Sequence, residues 1–198
     1  MRAGDTKAQI LDVALALFNE GGSGNVSTNQ IAEAAGRSPG NLYYHFRSKE
    51  EIVRHLLDRL IARWAQIYAL PGDRMPTMAD LETMVAANFG ALWDYRFIYR
   101  DLEGLRQRDP VFAKTYAQTR QAGFVNFRLL LLAFVGAGIL QAPGSDTETE
   151  ELAQLLWIVG DYWLAFVEAG GQPVTQAQID HGSALFRRVL KPYVRTSK

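Results

Sequence analysis

A basic, tyrosine-containing stretch near the N-terminus carries the residue types best suited to chemistry in this chain. Between Arg37 and Lys49 there are three cationic side chains and one histidine, and there is no carboxylate. Two adjacent tyrosines and an asparagine lie among them. Such side chains and main-chain amides bond phosphate oxygens, and ring edges can meet thymine methyl groups. The stretch therefore suits a DNA groove; the alternative is an ordinary amphipathic helix with partly buried tyrosines.

Helix start and stop signals place this stretch on the second of two short helices. Ser27 with Gln30 forms a capping box, and Gly36 tolerates the left-handed conformation that ends a helix. Ser38 caps the next helix, with Pro39 at the first position, where its missing amide costs nothing. Two helices joined by a tight, glycine-containing turn predict a helix-turn-helix.

The second helix has an anchoring face and a free face. Leu42 and Phe46 are four residues apart, so both can pack against the rest of the unit. The remaining surface of this helix is shared by Pro39, Gly40, Asn41, Tyr43, Tyr44 and His45.

Residues from Gly36 to Glu50, with Thr28, Ile31 and Ala32 before them, resemble the DNA-binding signature of the TetR family of transcriptional regulators. The resemblance implies operator contacts by Thr28, Gly40, Tyr43, Tyr44, His45 and Lys49. The chain departs from many family members at Pro39, where they carry Lys, Arg or Thr that can reach a base. The predicted DNA-binding residues are Thr28, Arg37, Ser38, Pro39, Gly40, Asn41, Tyr43, Tyr44, His45 and Lys49.

The overall composition excludes several classes of protein. Of 198 residues, 48% are hydrophobic, and 21 basic residues balance 21 acidic ones, so the net charge is +0. DNA affinity must therefore come from a local basic face, because a general cationic coat is absent. The chain has no cysteine, which excludes disulfides, thiolate metal sites and cysteine nucleophiles. We expect neither a cofactor nor a metal.

No segment of the sequence predicts secretion or membrane insertion. The N-terminus carries Asp5 and Asp12 without an uninterrupted apolar run. The longest uncharged stretch, which follows Arg128, falls short of the roughly 20 apolar residues that a bilayer requires. A cytoplasmic protein without a membrane partner is expected.

A long helix connects the helix-turn-helix to the remainder of the chain. Ser48 with Glu51 forms another capping box, and apolar residues recur at helical spacing as far as Leu70, where Pro71 follows. We place the domain boundary near Glu50. Residues 1–50 then form the DNA-binding domain, and residues 51–198 form a ligand-binding and dimerisation domain.

The rest of the chain also has helical periodicity, and no stretch alternates long enough to form a strand. We predict an all-α protein of about nine helices: a three-helix DNA-binding unit followed by a larger helical domain.

Aromatic side chains are concentrated in the larger domain. Most belong to a core, but bundles often hold ligands in apolar, aromatic cavities between helices, and the resembled family binds small molecules there. The predicted pocket residues are Trp64, Tyr68, Phe89, Trp93, Phe112, Tyr116, Phe124, Phe127 and Trp157. Possible polar groups for the effector are Arg96, Arg100, Arg128 and His181. An apolar or aromatic effector of unknown identity is expected.

The helix from Glu151 to Val167 is apolar nearly all round, so it must be covered on every side. A second subunit is the simplest cover, and the final helix would complete a four-helix interface, as in the resembled family. The predicted dimer residues are Leu152, Leu156, Val159, Trp163, Phe166, Phe186 and Leu190.

These patterns favour a homodimeric, ligand-responsive repressor that binds a palindromic double-stranded DNA operator and is released by its effector. One alternative is a DNA-binding protein without a ligand-controlled switch. An enzyme is the rival class, but His45, His55 and His181 share no motif spacing, and no nucleophile or phosphate-binding motif is present.

Overall fold

The computed structural model describes residues 3–195, which form ten α-helices and one 3-10 turn. The helices are α1 (Ala3–Gly21), α2 (Thr28–Ala34), α3 (Pro39–His45), α4 (Lys49–Ile67), α5 (Met78–Asp94), α6 (Arg96–Arg100), α7 (Leu102–Arg108), α8 (Pro110–Gly136), α9 (Asp146–Ala169) and α10 (Gln176–Leu190). The 3-10 turn is Lys191–Tyr193. The extended pairing within this range is a single bridge between Leu140 and Val194. The all-α prediction is confirmed.

The helix count exceeds the predicted nine because the aromatic stretch after α5 folds into two short helices. Asp101 separates them with a backbone near φ −95° and ψ 7°, outside regular helix geometry. The connecting helix α4 also ends at Ile67, earlier than the predicted Leu70.

The helices pack into two compact units. The N-terminal unit contains residues up to Ala62 together with Asp94–Tyr116, and the C-terminal unit contains Arg63–Trp93 and residues from Ala117 onward. Helices α4 and α8 contribute residues to both units. This grouping follows packing and not function, so the functional boundary near Glu50 stays a prediction.

Apolar side chains of α1 form the base of the N-terminal unit. Ile10, Ala14 and Phe18 are completely buried, as their spacing on one helical face predicts. The Phe18 ring meets Phe97 of α6 with centroids 5.2 Å apart. The first helix therefore braces the helix-turn-helix from within.

Close approach of α9 and α10 organises the C-terminal unit. A Cβ atom at Gly182 would lie 2.7 Å from Trp163 Nε1 and 2.8 Å from the Phe89 ring, so only glycine admits both rings. Trp163 Nε1 donates a hydrogen bond to the Gln178 carbonyl at 2.6 Å. The two helices are thus joined by ring packing and by a partly buried hydrogen bond.

Candidate functional site

The caps of α2 and α3 form as the sequence predicts. Ser27 Oγ accepts from the Gln30 amide, and Gln30 Oε1 accepts from the Ser27 amide at 2.8 Å, which completes the capping box. Ser38 Oγ accepts from the Asn41 amide at 3.2 Å, with Pro39 in the first turn. Gly36 adopts φ +64°, a left-handed conformation that favours glycine. The two helices therefore have fixed start points.

Helix α3 presents its polar face to solvent. Leu42 and Phe46 are completely buried, whereas Tyr43 is 49% exposed and Tyr44 is 80% exposed. Ser38, Pro39 and Gly40 are exposed on the same helix, and Asn41 and His45 are partly buried. Large exposed rings on a short, well-anchored helix are available to a groove.

A hydrogen bond orders one of these rings. Thr28 Oγ1 and the Tyr43 hydroxyl lie 3.0 Å apart, and either can donate. The neighbouring Tyr44 ring makes an edge contact with His45 at 5.1 Å between centroids. The start of α2 and the exposed side of α3 therefore form one polar surface that includes Thr28, Tyr43 and Tyr44.

The structure gives the predicted contact residue Lys49 partners inside its own unit. Lys49 Nζ donates to the Ser23 carbonyl at 2.6 Å and to the Val26 carbonyl at 2.9 Å. Burial, followed by the nearby Arg108 charge, lowers the pKa of this ammonium group. Because these bonds hold the loop before α2, contact between Lys49 and DNA stays a prediction that competes with a structural role.

Arg37 is also held, since its Nη2 atom donates to Gln9 Oε1 of α1 at 3.0 Å. Arg47 is exposed on the segment between α3 and α4, and sequence reasoning did not single it out for DNA contact.

A second polar contact on the loop before α2 comes from Asp101, between α6 and α7. Asp101 Oδ2 accepts from the Ser23 amide at 2.6 Å and from its hydroxyl at 2.7 Å. Arg100 Nη2 donates to the Phe18 carbonyl at 2.6 Å, and Asn19 Nδ2 donates to the Asp94 carbonyl at 2.7 Å. These partners are 75 to 82 residues apart in sequence, so spacing could not reveal them.

The C-terminal unit contains an apolar cavity formed by α5, α8, α10 and Tyr68, the residue that follows α4. Its walls include three predicted pocket residues, Tyr68, Phe89 and Phe127. The other lining residues are Leu81, Met84, Val85, Asn88, Leu130, Leu131, Phe134, Phe186 and Leu190. Asn88 is the polar side chain among these residues, and the sequence did not predict it as a pocket residue. A single asparagine in an amphipathic helix is common, so its type alone gave no signal.

Other predicted pocket residues do not line this cavity. Phe112 and Tyr116 are buried in the N-terminal unit, where their rings stack at 5.8 Å. Phe124 and Trp157 meet edge to face on a separate groove between α8 and α9. Trp64 and Trp93 are half-buried and outside the cavity lining. The single aromatic pocket that the sequence suggested is therefore divided.

The suggested polar groups also lie elsewhere. Arg100 bonds α1 carbonyls, as described above, and the His181 ring lies 5.3 Å from that of Trp163. Arg128 is exposed, and Arg96 is half-buried in the N-terminal unit. None of the four lines the cavity of the C-terminal unit.

Helix α9 has a buried side and an exposed apolar side. Leu152 and Leu156, predicted for the dimer, are core residues of their own protomer, and so are Phe186 and Leu190 of α10. Val159 and Trp163 are half-buried, whereas Phe166 is 71% exposed. The exposed apolar side chains of α9 are Leu155, Ile158, Tyr162 and Phe166. Because α9 packs Leu152 and Leu156 inward, its exposed apolar side chains lie on the opposite side of the helix, and the dimer interface stays a prediction.

By length and composition alone, α9 could also cross a membrane, a test that core helices of soluble proteins pass as well. Among the described residues, no group of three His, Asp or Glu side chains is placed to hold a metal ion.

Two family models match the chain. Residues 47–198 match the model for TetR, a bacterial transcriptional repressor, and residues 10–56 match that for bacterial regulatory proteins of the tetR family. Together they include both the helix-turn-helix and the larger domain.

Curated relatives match over shorter stretches. The repressor KstR2 of Mycobacterium tuberculosis (strain ATCC 25618 / H37Rv) is 42% identical over 58% of this chain and 60% of its own length. KstR2 of Rhodococcus jostii (strain RHA1) is 37% identical over 43% of each chain. The chain therefore spans between 43% and 60% of the length of these relatives.

A solved structure of a transcriptional regulator from Marinobacter aquaeolei VT8 is similar over nearly the whole chain. It has a TM-score of 0.86 and 29% sequence identity, covering 98% of this chain and 92% of that one.

Proposed function

The chain belongs to the TetR family of bacterial transcriptional regulators, and we propose that it is a ligand-responsive repressor. It binds a palindromic operator as a homodimer and leaves the operator when a small molecule occupies the C-terminal unit. Cytoplasmic location follows from this role. The proposal assigns DNA binding to residues 1–50, and ligand binding and dimerisation to residues 51–198.

The exposed face of α3 carries the proposal for DNA. Tyr43 and Tyr44 project from a helix whose opposite side is anchored by two buried residues, Leu42 and Phe46. In a helix-turn-helix dimer, the two recognition helices enter successive major grooves about 34–36 Å apart. The central DNA contacts are proposed to come from Thr28, Gly40, Tyr43 and Tyr44. The other predicted DNA-binding residues are proposed to make contacts around these four.

A second copy of the chain is the proposed partner of α9. Its exposed apolar side chains recur at spacings of three and four residues, which align them along one side of the helix. Such a contiguous apolar stripe commonly marks a protein interface. This assigns the dimer contact to the side with Ile158 and Phe166.

The cavity lined by Tyr68 and Phe127 is the proposed effector site. Its lining is apolar, with a small number of polar groups, which is typical of small-molecule sites. A regulator without a ligand switch is the alternative. A screen of metabolites by thermal unfolding separates the two, because a switchless regulator shows no shift with any compound. Family membership argues against an enzyme.

The test of DNA recognition starts from random duplex DNA, from which the purified protein selects its operator. We expect a palindromic site and a dimer on each copy of it. Tyr44→Ala should weaken binding about tenfold, or about 1.4 kcal/mol, with unchanged unfolding free energy. Gln107→Ala, an exposed change elsewhere in the same unit, serves as control. Selection of no sequence, or operator binding by Tyr44→Ala equal to wild type, refutes the assignment.

A further inference from the structure

The cavity of the C-terminal unit has no charged side chain in its lining. Glu82 and Arg187, each next in sequence to a lining residue, bond each other with an Nε–Oε2 distance of 2.6 Å. Arg187 Nη1 also donates to Ser183 Oγ at 2.9 Å. These two charged side chains are partly exposed, already have partners and do not line the cavity.

A tyrosine and an asparagine supply the polar groups of this cavity. The Tyr68 hydroxyl donates to Asn88 Oδ1 at 2.8 Å. Burial raises the pKa of the Tyr68 hydroxyl, so it stays protonated at neutral pH. A tyrosine hydroxyl that donates one bond can still accept another, and an asparagine amide offers both donors and an acceptor. The pair can thus receive one more hydrogen-bonding group.

The room inside the cavity is small in this structure. The empty space between the lining side chains, including the open mouth of the cavity, is about 380 Å³. The part of this space that a water molecule can enter is only about 20 Å³, which is enough for one water. The Phe127 ring lies 6.5 Å from Tyr68 and 6.4 Å from Phe186, between centroids. A ligand larger than water must separate these rings, so binding repacks the helices that carry them.

We propose that this cavity takes a neutral, largely apolar molecule with one hydroxyl or amide group, which hydrogen-bonds to Tyr68 and Asn88. The inference rests on the proposed effector role of the C-terminal unit and adds the chemical class of the effector. A carboxylate or an ammonium group would lose its hydration without gaining an opposite charge, which is strongly unfavourable in an apolar site. A neutral hydroxyl loses less hydration and regains hydrogen bonds from the pair.

The test uses three straight-chain probes of eight carbon atoms with different head groups: 1-octanol, octanoate and octylamine. Binding to the full-length protein is measured by calorimetry at neutral pH, where the acid and the amine are charged. We expect 1-octanol to bind at least about tenfold more tightly than either charged probe, because a charged probe must bury its charge in the cavity without a partner of opposite charge.

Two variants locate the effect. Tyr68→Phe keeps the ring and removes the hydroxyl, so the affinity for 1-octanol should fall about five- to tenfold, the range for one lost hydrogen bond. Tyr193→Phe is the matched control, because it also removes a hydrogen-bonded tyrosine hydroxyl, here one that donates to Glu148, and Tyr193 does not line the cavity. Leu131→Trp fills the cavity and should abolish binding of every probe, with folding checked by circular dichroism and thermal unfolding.

Equal affinity for the three probes, or tighter binding of a charged one, overturns the proposed class, and so does unchanged 1-octanol binding by Tyr68→Phe. Binding that survives in folded Leu131→Trp shows that the probes occupy another site, and absence of binding by wild type also refutes the proposal. Operator selection, measured separately without any probe, decides the regulatory role. The ligand class and the repressor function can therefore fail independently.

Discussion

Lys49 and Asp101 bind the same short loop through opposite charges. The ammonium group of Lys49 satisfies the carbonyls of Ser23 and Val26, and the Asp101 carboxylate satisfies the amide and the hydroxyl of Ser23. Ser23 itself is buried. A buried backbone group without a partner is costly, so the two side chains fix the loop that leads into α2.

We expect Asp101→Ala to lower the free energy of unfolding by about 1–3 kcal/mol, because it leaves the buried Ser23 amide and hydroxyl without their acceptor. Urea unfolding measures the loss, and amide hydrogen exchange at Ser23 should accelerate more than elsewhere in the unit. The control is Glu103→Ala, which removes an exposed pair with Arg106 and should change stability by less than about 0.5 kcal/mol. Equal effects of the two changes would contradict the role of Asp101.

Ionisation of Tyr68 should make the free energy of unfolding depend on pH in the alkaline range. Its folded-state pKa is raised by burial above the unfolded value of 10.0. The unfolded chain therefore loses this proton first, so the stabilising contribution is complete below pH 10 and is lost as pH rises towards the folded pKa. Between pH 8 and pH 11, wild type should lose about 1.4 kcal/mol more stability than Tyr68→Phe. Denaturant unfolding of both proteins measures this difference. If their unfolding free energies change equally with pH, the Tyr68 hydroxyl has the same pKa in the folded and the unfolded state, which contradicts the prediction.

At the scale of elements, close packing of α9 against α10 depends on a missing side chain. Glycine inside a helix normally costs about 0.5–1 kcal/mol relative to alanine. At Gly182 this cost is offset by the approach of the Trp163 and Phe89 rings, which leaves no room for a methyl group. Packing here therefore opposes helix propensity and outweighs it.

Gly182→Ala should consequently destabilise the protein by about 1–3 kcal/mol through overpacking, although propensity alone predicts a gain. Gly136→Ala, at the end of α8, is a matched control because a Cβ atom there meets nothing within 4 Å. That change should be neutral or slightly stabilising. Thermal unfolding of both variants measures the contrast, and a stable Gly182→Ala protein would show that Trp163 moves aside at little cost.

At the scale of the whole molecule, the exposed side of α9 determines the proposed assembly. Phe166→Glu places a charge at a side chain that is 71% exposed in the protomer, so the protomer should keep its fold while the dimer dissociates. Sedimentation at micromolar concentration should change from dimer to monomer, with loss of cooperative operator binding. Val111→Glu, at an apolar side chain of 57% exposure in the N-terminal unit, should remain dimeric. A dimeric Phe166→Glu protein would place the interface elsewhere.

Ligand and operator should weaken each other by one common factor. Coupling between two sites is reciprocal, and typical factors are about 5–150-fold. A discovered effector is titrated against the free protein and against the protein–operator complex. Equal affinities in the two titrations would exclude a ligand-controlled switch, even if both molecules bind.

Local signals in the sequence determined the helix-turn-helix. Caps such as Ser27 with Gln30 and the glycine at Gly36 act within a few residues, so their geometry is readable without knowledge of the fold. The anchoring role of Leu42 and Phe46 likewise follows from helical spacing, and the structure confirms their burial. The all-α class was predictable for the same reason, since hydrophobic periodicity is a local property.

Only the tertiary structure decided which sides of the helices meet. Helix α9 is apolar nearly all round, so periodicity could not separate its core side at Leu152 and Leu156 from its exposed side at Phe166. The bond between Tyr68 and Asn88, and that between Asp101 and Ser23, join residues on different elements. Such pairings depend on how helices pack over long sequence separations, which side-chain spacing within one helix does not encode.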